Sequence, residues 1–190
     1  MDRLRFKDEN GKEFPKWEFR KIKHLLNYEQ PTKYLENDYS TDFTEGIPVL
    51  TANKTFILGN TANTNNIYKE TPCIIFDDFT TLSKYVDFQF KVKSSAIKIL
   101  KLKDENYNLK LIYEKFKRLS FLPAVHKRHY ISEFQSMKIE IPTSIIEQEK
   151  IGGFLRAFDR LIQKEENNIE KYESMKKGYS QRLFYSGWDN

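Results

Sequence analysis

The sequence predicts an α+β fold, in which a mixed globular domain with a small, largely antiparallel sheet is followed by a long C-terminal coiled-coil helix. Residues 1–142 contain short β-rich apolar segments and one helical segment, whereas the residues after Pro142 carry apolar side chains at alternating steps of three and four. Hydrophobic residues make up 39% of the 190 residues, enough to bury a core. We therefore expect two domains, residues 1–142 and residues 143–190.

Three segments predict the first secondary-structure elements. WEFRKIKHLL, which begins at Trp17, predicts a short helix or a strand leading into one. GIPVLTANKTFI, which begins at Gly46, predicts a strand, a polar turn and a second strand. PCIIFDDF, a β-rich apolar run that begins at Pro72, predicts a buried strand that also buries the lone cysteine, Cys73.

Further strands and one helix are expected before residue 143. FQFKVK alternates strictly and predicts a half-buried strand with a basic outer face, with Phe88, Phe90 and Val92 on one side and Gln89, Lys91 and Lys93 on the other. AIKILKLK is expected to continue the sheet, and FQSMKIEIP predicts a last strand that ends at Pro142. YNLKLIYEKFKRL predicts a helix, because its apolar residues recur at helical intervals: Leu109, Ile112, Tyr113, Phe116 and Leu119.

A single long helix is predicted after Pro142. Ser144 and Glu147 have the spacing of a capping box, and no proline follows before Phe184. An unbroken helix over this stretch would be about 58 Å long, more than the diameter of a domain of this size. The alternative is a helix that breaks near Gly178 and folds back. The predicted helix-pairing positions are Ile151, Leu155, Phe158, Ile162, Ile169, Tyr172, Tyr179 and Leu183.

This apolar seam predicts a helical partner. Each well-buried Leu, Ile or Phe contributes about 1.5 to 3 kcal/mol, so a seam left in water would favour association. The polar interruptions at Glu165 and Lys176 would help to set register and orientation.

Charge and composition narrow the function classes. The formal net charge is +5, and the basic excess is concentrated in residues 84–103 and 118–138, which is compatible with nucleic-acid binding. The apolar runs are far shorter than the roughly 18 residues of a membrane span, and the N-terminal residues lack the apolar stretch of a signal peptide. Together with the single cysteine, these features predict a cytoplasmic protein.

The sequence lacks the common motifs of nucleotide, metal and acyl-transfer chemistry. It contains no GxxxxGK[ST], GxGxxG, HExxH, CxxC or GxSxG pattern. With three histidines and one cysteine, a His/Cys zinc site is not expected, and a metal at His126 and His129 is disfavoured by Lys127 and Arg128 between them. We therefore expect no catalytic residues and no bound metal.

A metal-dependent DNA nuclease is the competing enzymatic interpretation. Glu70, Asp77, Asp78 and Lys84 would form its carboxylate–lysine cluster. The competing structural interpretation is that Asp77 and Asp78 end a strand and bind loop amides or neighbouring lysines.

Three short polar loops and one basic strand face predict a surface that reads DNA. Arginine and histidine donate hydrogen bonds to phosphates and to guanine edges, and hydroxyl and amide groups also contact bases. The predicted DNA-binding residues are Thr51, Asn53 and Lys54 of TANKT, Thr80, Thr81, Ser83 and Lys84 of TTLSK, Lys91 and Lys93 of FQFKVK, and His126, Lys127, Arg128, His129 and Tyr130 of HKRHY. The alternative for HKRHY is an ordinary solvated basic turn with Tyr130 in the core.

Five segments that cover nearly the whole chain occur together and in order in a known family. They are LRFKDENGKEFPKWEFRKI, IPVLTANK, IIFDDFTTLSKYVDFQFKVKSSAIKIL, HKRHYISEF and IPTSIIEQEKIGGFLRAFDRLIQKEENNIEKYESMKKGYSQRLF. In these segments the chain resembles one half of the specificity subunit of type I restriction-modification systems. The first segment is similar to the opening of a target recognition domain and the next three to its internal blocks. The last segment, which is the most specific, is similar to the helical conserved region.

The resemblance implies a non-catalytic subunit that recognises DNA. Such a subunit usually carries two target recognition domains, each followed by a helix, and the two helices pair antiparallel as a ruler between the domains. Each domain reads one half of a split sequence through the major groove. Methyltransferase subunits that modify adenine with S-adenosylmethionine, and restriction subunits that use ATP and Mg, would be its partners. No cofactor is expected to bind this chain itself.

The sequence departs from the family pattern because it has one recognition domain and one helix. It is expected to be a natural half-subunit or an excised half, and two copies are expected to pair through their helices as a homodimer that favours a split palindrome. A third interpretation is a helical scaffold whose globular domain binds protein rather than DNA.

Overall fold

A computed structural model describes residues 4–119 and 128–184. Residue contacts divide the chain into two compact units, with the boundary between Gly152 and Gly153. In chain order the elements are β1 (Glu18–Lys21), α1 (Ile22–Leu25), β2 (Leu26–Glu29), β3 (Ile47–Leu50), β4 (Ile57–Thr61), β5 (Cys73–Asp77), β6 (Ser83–Val86), β7 (Lys91–Val92), β8 (Ile97–Leu102), α2 (Leu109–Phe116), β9 (Lys138–Ile141) and α3 (Ile145–Phe184). The predicted α+β class is confirmed.

The strands form three small sheets, and all pairs except one are antiparallel. The largest sheet has the order β2-β8-β5-β6, a second has the order β4-β3-β7, and β1 pairs with β9. The β3–β7 pair is parallel, and the β3–β4 ladder shifts register between Val49 and Leu50. The strands expected from GIPVLTANKTFI, PCIIFDDF, AIKILKLK and FQSMKIEIP are all present.

The four-stranded sheet is buried on both faces. On β5, Ile74 and Phe76 pack into one apolar cluster with residues of α1, α2 and β9. The intervening side chains, Cys73 and Ile75, pack into a second cluster with residues of β3 and β7. Burial on both faces explains why CIIF is continuously apolar instead of alternating. Burial in apolar surroundings also raises the pKa of the Cys73 thiol.

The prediction that FQFKVK has a solvent-facing basic side is wrong. β7 contains two residues, and both are buried. Leu35 forms a parallel bridge with Val92, and the Glu36 amide donates to the Val92 carbonyl at 2.9 Å, so this segment pairs along the edge of β7 and brings the Glu36 carboxylate to Lys91. Lys91 therefore points into the protein, where its Nζ lies 2.6 Å from Glu36 Oε2.

The long C-terminal helix is confirmed over 40 residues, Ile145–Phe184, and continues through Gly178. The alternative of a break near Gly178 is therefore wrong. Half of the predicted capping box forms, because the Glu147 amide donates to Ser144 Oγ at 3.5 Å. The Glu147 carboxylate instead accepts a charge-assisted bond from Arg5, with 2.9 Å between Arg5 Nη2 and Oε2. No helix in residues 4–119 or 128–184 is both long enough and apolar enough to cross a membrane.

Candidate nucleic-acid interface

Three polar loops of the first unit line an open groove of about 550 Å³, which we call the loop groove. They are the β3–β4 loop, the β5–β6 loop and the residues that follow β7. The fold thus brings together side chains from three separate parts of the sequence. The loop groove is lined by Thr51, Asn53, Lys54, Thr55, Leu58, Asp77, Leu82, Lys93 and Ser94.

Asp77 organises the β5–β6 loop. Its Oδ1 accepts hydrogen bonds from the amides of Phe79 and Thr80, both at 2.9 Å. The Asp77 carbonyl accepts the amide of Thr81, whose φ of 62° closes a tight turn. Because the turn is closed by both main-chain and side-chain bonds, it presents Phe79 and Thr80 from a defined backbone.

A side-chain hydrogen bond joins the β5–β6 loop to the β3–β4 loop. Thr80 Oγ1 donates to Asn53 Oδ1 at 3.2 Å. Within the β3–β4 loop, the Asn53 amide donates to Thr51 Oγ1 at 3.4 Å. Thr51 is buried, so it supports Asn53 and has little surface left for a ligand.

Asp78 holds the segment that begins at Arg128. Its Oδ1 accepts the amides of His129 at 3.1 Å and Tyr130 at 2.8 Å. Its Oδ2 lies 3.3 Å from Nζ of the buried Lys98. The two adjacent acids, Asp77 and Asp78, therefore position two different loops.

Arg128 lies at the surface next to the β5–β6 loop. Its guanidinium carbon is 5.9 Å from the centre of the exposed Phe79 ring, within the range of a cation–π contact. Since Asp78 holds the two residues that follow, the arginine starts from an anchored main chain. Its donors remain accessible from solvent.

Several predicted DNA-binding residues are too buried to contact DNA directly. Lys91 is 2% exposed and paired with Glu36, as described above, and Thr51 is 7% exposed. His129 and Tyr130 are 0% and 1% exposed, because Asp78 binds their main-chain amides and Tyr130 packs beside Phe76 in the apolar core. The prediction that these four residues contact DNA directly is therefore wrong, and they support the loops from within the protein. His126 and Lys127 lie outside the described residues.

The remaining predicted residues occupy the ends of the same loops. Thr81 sits in the positive-φ turn, and Ser83 begins β6, where its carbonyl accepts the Tyr113 hydroxyl at 3.1 Å. Lys84, on β6, is half-buried, with Nζ 5.8 Å from the centre of the Phe56 ring. Lys54 is exposed at the groove. Whether any of these residues touches DNA stays a prediction.

Sequence reasoning missed a further segment beside the loop groove. Lys93 Nζ donates to Asn37 Oδ1 at 3.1 Å and lies 5.0 Å from the centre of the Tyr39 ring. The run NDYST, residues 37–41, is polar and lacks a recognisable pattern, so its position next to Lys93 was not visible in the sequence. Exposure of Phe79 was equally hidden, because an aromatic after a strand usually packs inward.

The nuclease interpretation receives no support from the geometry. Asp77 and Asp78 bind loop amides and Lys98, as the structural interpretation predicted, and Glu70 pairs with Lys101 at 2.6 Å. Across the described residues, no group of three or more His, Cys, Asp and Glu side chains is arranged to hold a metal ion.

Glu36 connects the buried face of β7 to the segment beside Lys93. Its Oε2 accepts Lys91 Nζ at 2.6 Å and Asn63 Nδ2 at 2.8 Å, and its Oε1 accepts the amides of Asn37 and Asp38. The Lys91 bond, followed by the main-chain bonds, lowers the pKa of Glu36 from 4.5 to about 2. The ionised carboxylate is therefore the form that stabilises the fold.

Acid is expected to remove this stabilisation. Because the folded pKa lies below the unfolded one, the contribution is complete above about pH 5 and is lost as the pH falls towards 2. It amounts to about 3 kcal/mol. In urea unfolding, the stability difference between the wild type and Glu36→Gln should be large at pH 7 and should shrink steadily below pH 5. A Glu45→Gln variant, at an exposed position, serves as the control. An equal wild-type–Glu36→Gln difference at pH 7 and pH 3 would contradict the assignment.

A second candidate surface lies along α3. Apolar residues of the predicted seam from Phe158 to Leu183 are exposed, and Phe154, Leu161 and Met175 widen the stripe on the adjacent helical position. Phe154 and Phe158 form an edge-to-face pair with ring centres 4.9 Å apart. An exposed apolar stripe of this length is typical of a helix that pairs with another helix.

Comparison with known proteins gives one family and a small set of relatives. The family model for the type I restriction modification DNA specificity domain matches residues 15–171. The chain is 50% identical over 125 residues to the specificity subunit of the type I restriction enzyme EcoR124I/EcoR124II of Escherichia coli, and the match covers 62% of this chain and 30% of that protein.

The fold is shared with a solved structure. The S subunit of a type I restriction-modification system from M. genitalium is similar with a TM-score of 0.68 at 18% identity, over 88% of this chain and 46% of that chain. The HsdS subunit from Thermoanaerobacter tengcongensis gives a TM-score of 0.47 at 12% identity, over 78% of this chain and 39% of that chain. The chain spans less than half the length of each of these relatives.

Proposed function

The chain belongs to the family of type I restriction modification DNA specificity domains, and we propose that it recognises one half of a split DNA target for a type I restriction-modification complex. In this proposal, residues 1–142 read the DNA, and residues 143–190 contribute the helix α3 for pairing and docking. The M. genitalium S subunit, which shares the fold, supports this assignment.

The observation that carries the proposal is the convergence of the three loops. The loop groove combines an amide, hydroxyls and the two lysines Lys54 and Lys93, and Arg128 lies beside the same β5–β6 loop. Such groups donate to phosphates and to base edges, and loops on a rigid sheet present them in a fixed arrangement. Asp77 holds the β5–β6 loop, and Asp78 holds the segment that begins at Arg128.

We assign the chemistry of the complex to partner subunits. Methyltransferase subunits would modify adenine with S-adenosylmethionine, and restriction subunits would use ATP and Mg, while this chain binds no cofactor and carries no catalytic residue. The roles of Asp77 and Asp78 in holding loops support a non-catalytic chain. DNA and the two kinds of subunit are therefore its proposed partners.

The exposed stripe on α3 supports pairing with a second copy of the chain. Antiparallel pairing of two identical helices is symmetric, so both copies bury the same positions. The two recognition domains of such a homodimer would read the same bases on opposite strands, and its target would be a split palindrome.

A binding titration tests DNA recognition. Fluorescence anisotropy with labelled duplexes should show an affinity that falls with salt by about 0.9 log units per log unit of salt for each phosphate contact. Arg128→Ala is expected to weaken binding of the preferred duplex by about 1 to 3 kcal/mol and to relax one position, whereas Lys54→Ala should weaken all duplexes alike and reduce the salt slope.

Lys138→Ala is the matched control. Lys138 is an exposed lysine on β9, which contributes no residue to the loop groove. Removing it changes the net charge by the same amount as Lys54→Ala but should leave the salt slope nearly unchanged. A wild-type affinity that does not respond to salt would contradict DNA binding by this chain.

A further inference from the structure

We propose that Asn53 and Thr80 form a preorganised base-reading pair, in which the Asn53 side-chain amide reads adenine and Leu82 contacts the methyl group of a thymine. The inference rests on the proposed DNA-reading function and adds which side chains read which base pair. Asn53 would be the specificity-determining residue, and Thr80 a positioning residue that acts through it.

The Thr80 hydroxyl both accepts and donates a hydrogen bond in this turn. Oγ1 lies 3.4 Å from the Leu82 amide, which can only donate, so Oγ1 accepts this bond. Its proton is then available for Asn53 Oδ1 at 3.2 Å. Because Asp77 holds the Thr80 amide at 2.9 Å, the hydroxyl is presented from a constrained turn.

Asn53 is consequently held at two points. Its main-chain amide donates to the buried Thr51 Oγ1, and its side-chain oxygen accepts from Thr80. The oxygen retains a second lone pair, and the side-chain nitrogen retains two donors. Because Asn53 lines the loop groove, it offers its acceptor and donors there in a defined order, which is the arrangement a bidentate contact requires.

Adenine is the base that fits this order in the major groove of DNA. It presents the N6 amino donor beside the N7 acceptor, and an asparagine amide complements both at once. Guanine offers two acceptors at the corresponding positions, so the Asn53 oxygen would be left facing an acceptor. The pair therefore favours adenine over guanine. Because Thr80 already orients the Asn53 amide, this side chain loses less conformational freedom on binding than a freely rotating one.

The other walls of the loop groove favour base edges over phosphate. Asp77 also lines the groove, but it is buried and its Oδ1 is bonded to two loop amides, so it offers a phosphate no hydrogen-bond donor. Leu82 contributes an exposed apolar side chain to the same lining, and apolar side chains contact the C5 methyl group of thymine. Lys54 and Lys93 remain available for the flanking phosphates.

A selection experiment with the full chain tests the pair. Duplexes randomised around a fixed core are selected by the wild type, Asn53→Ala, Asn53→Asp, Thr80→Val and Thr80→Ser, after circular dichroism has shown that each variant melts like the wild type. The wild type should enrich a motif that contains an A·T pair. In Asn53→Ala the preference for that pair should fall by roughly 5- to 150-fold, while the preferences at the other positions of the motif are retained.

The other variants separate reading from positioning. An aspartate accepts but cannot donate, so Asn53→Asp should move the preference at this pair from adenine to cytosine. Thr80→Val removes the hydroxyl at nearly constant shape and should weaken the preference at the same pair, whereas Thr80→Ser keeps the hydroxyl and should retain it. Equal preferences for Thr80→Val and Thr80→Ser would overturn the positioning role.

The remaining outcomes distinguish this inference from the proposed function. If the wild type enriches a motif and Asn53→Ala enriches the same motif, or one that differs only at a G·C pair, the base-reading pair is refuted while DNA recognition stands. If the wild type enriches no motif, both the proposed function and the inference are overturned.

Discussion

Replacing Asp78 by alanine is expected to lower the free energy of unfolding by about 3 to 5 kcal/mol. Asp78 and Lys98 are each 1% exposed, and 3.3 Å separates Oδ2 from Nζ. Truncation leaves the Lys98 charge buried without its carboxylate, with Gln30 Oε1 at 3.0 Å as a neutral acceptor. It also removes the side-chain acceptor of the Tyr130 amide, whereas the His129 amide keeps the Asp78 carbonyl at 3.0 Å. Urea or thermal unfolding measures the loss.

Two further variants identify the cause of this loss. Asp87→Ala removes an exposed carboxylate and should change stability by less than about 0.5 kcal/mol. The double variant Asp78→Asn, Lys98→Met removes both buried charges but keeps an oxygen for the amides, so it should recover much of the stability. If Asp78→Ala costs less than 1 kcal/mol, the buried pair does not anchor the loop.

Ile162→Lys is expected to convert the proposed dimer into monomers at micromolar concentration. Ile162 lies in the exposed stripe of α3, and burying such a side chain is worth about 1.5 to 3 kcal/mol. A symmetric dimer contains the substitution twice, so the dissociation constant should rise by about 10² to 10⁴. Sedimentation equilibrium should give a mass near 22.8 kDa for the variant and twice that mass for the wild type.

Ser174→Lys provides the matched control for the helix. It adds the same charge at an exposed position on the opposite face of the same helix, so the dimer should persist. Both variants should retain the helical signal in circular dichroism, because lysine is a good helix former. A wild type that sediments as a monomer, or two variants that dissociate equally, would argue against pairing through the predicted seam.

The periodicity of the sequence was sufficient to locate most elements. The apolar run around Ile74 and the helical spacing from Leu109 to Phe116 each produced the expected element, because local pattern and burial agree there. FQFKVK failed for a tertiary reason. Alternation predicts which residues share a face but not which face meets solvent. Here the segment around Glu36 pairs with β7, and its carboxylate binds Lys91 inside the protein.

The candidate site was predictable in composition but not in arrangement. The TANKT and TTLSK loops were singled out from their polar side chains, and two of their members, Asn53 and Thr80, are joined directly. In HKRHY the same reasoning failed for His129 and Tyr130. The sequence does not distinguish a histidine or tyrosine at the surface from one that is buried because Asp78 binds its main-chain amide.

The sequence by itself determined the α+β class, the start of the long helix and its apolar stripe, since each follows from local spacing, capping and hydrophobic period. Tertiary structure alone decided which polar loops meet and which charged side chains face inward. Those outcomes depend on contacts between residues distant in sequence, such as Asp78 with Lys98 and Glu36 with Lys91, and on whether each buried charge finds a partner.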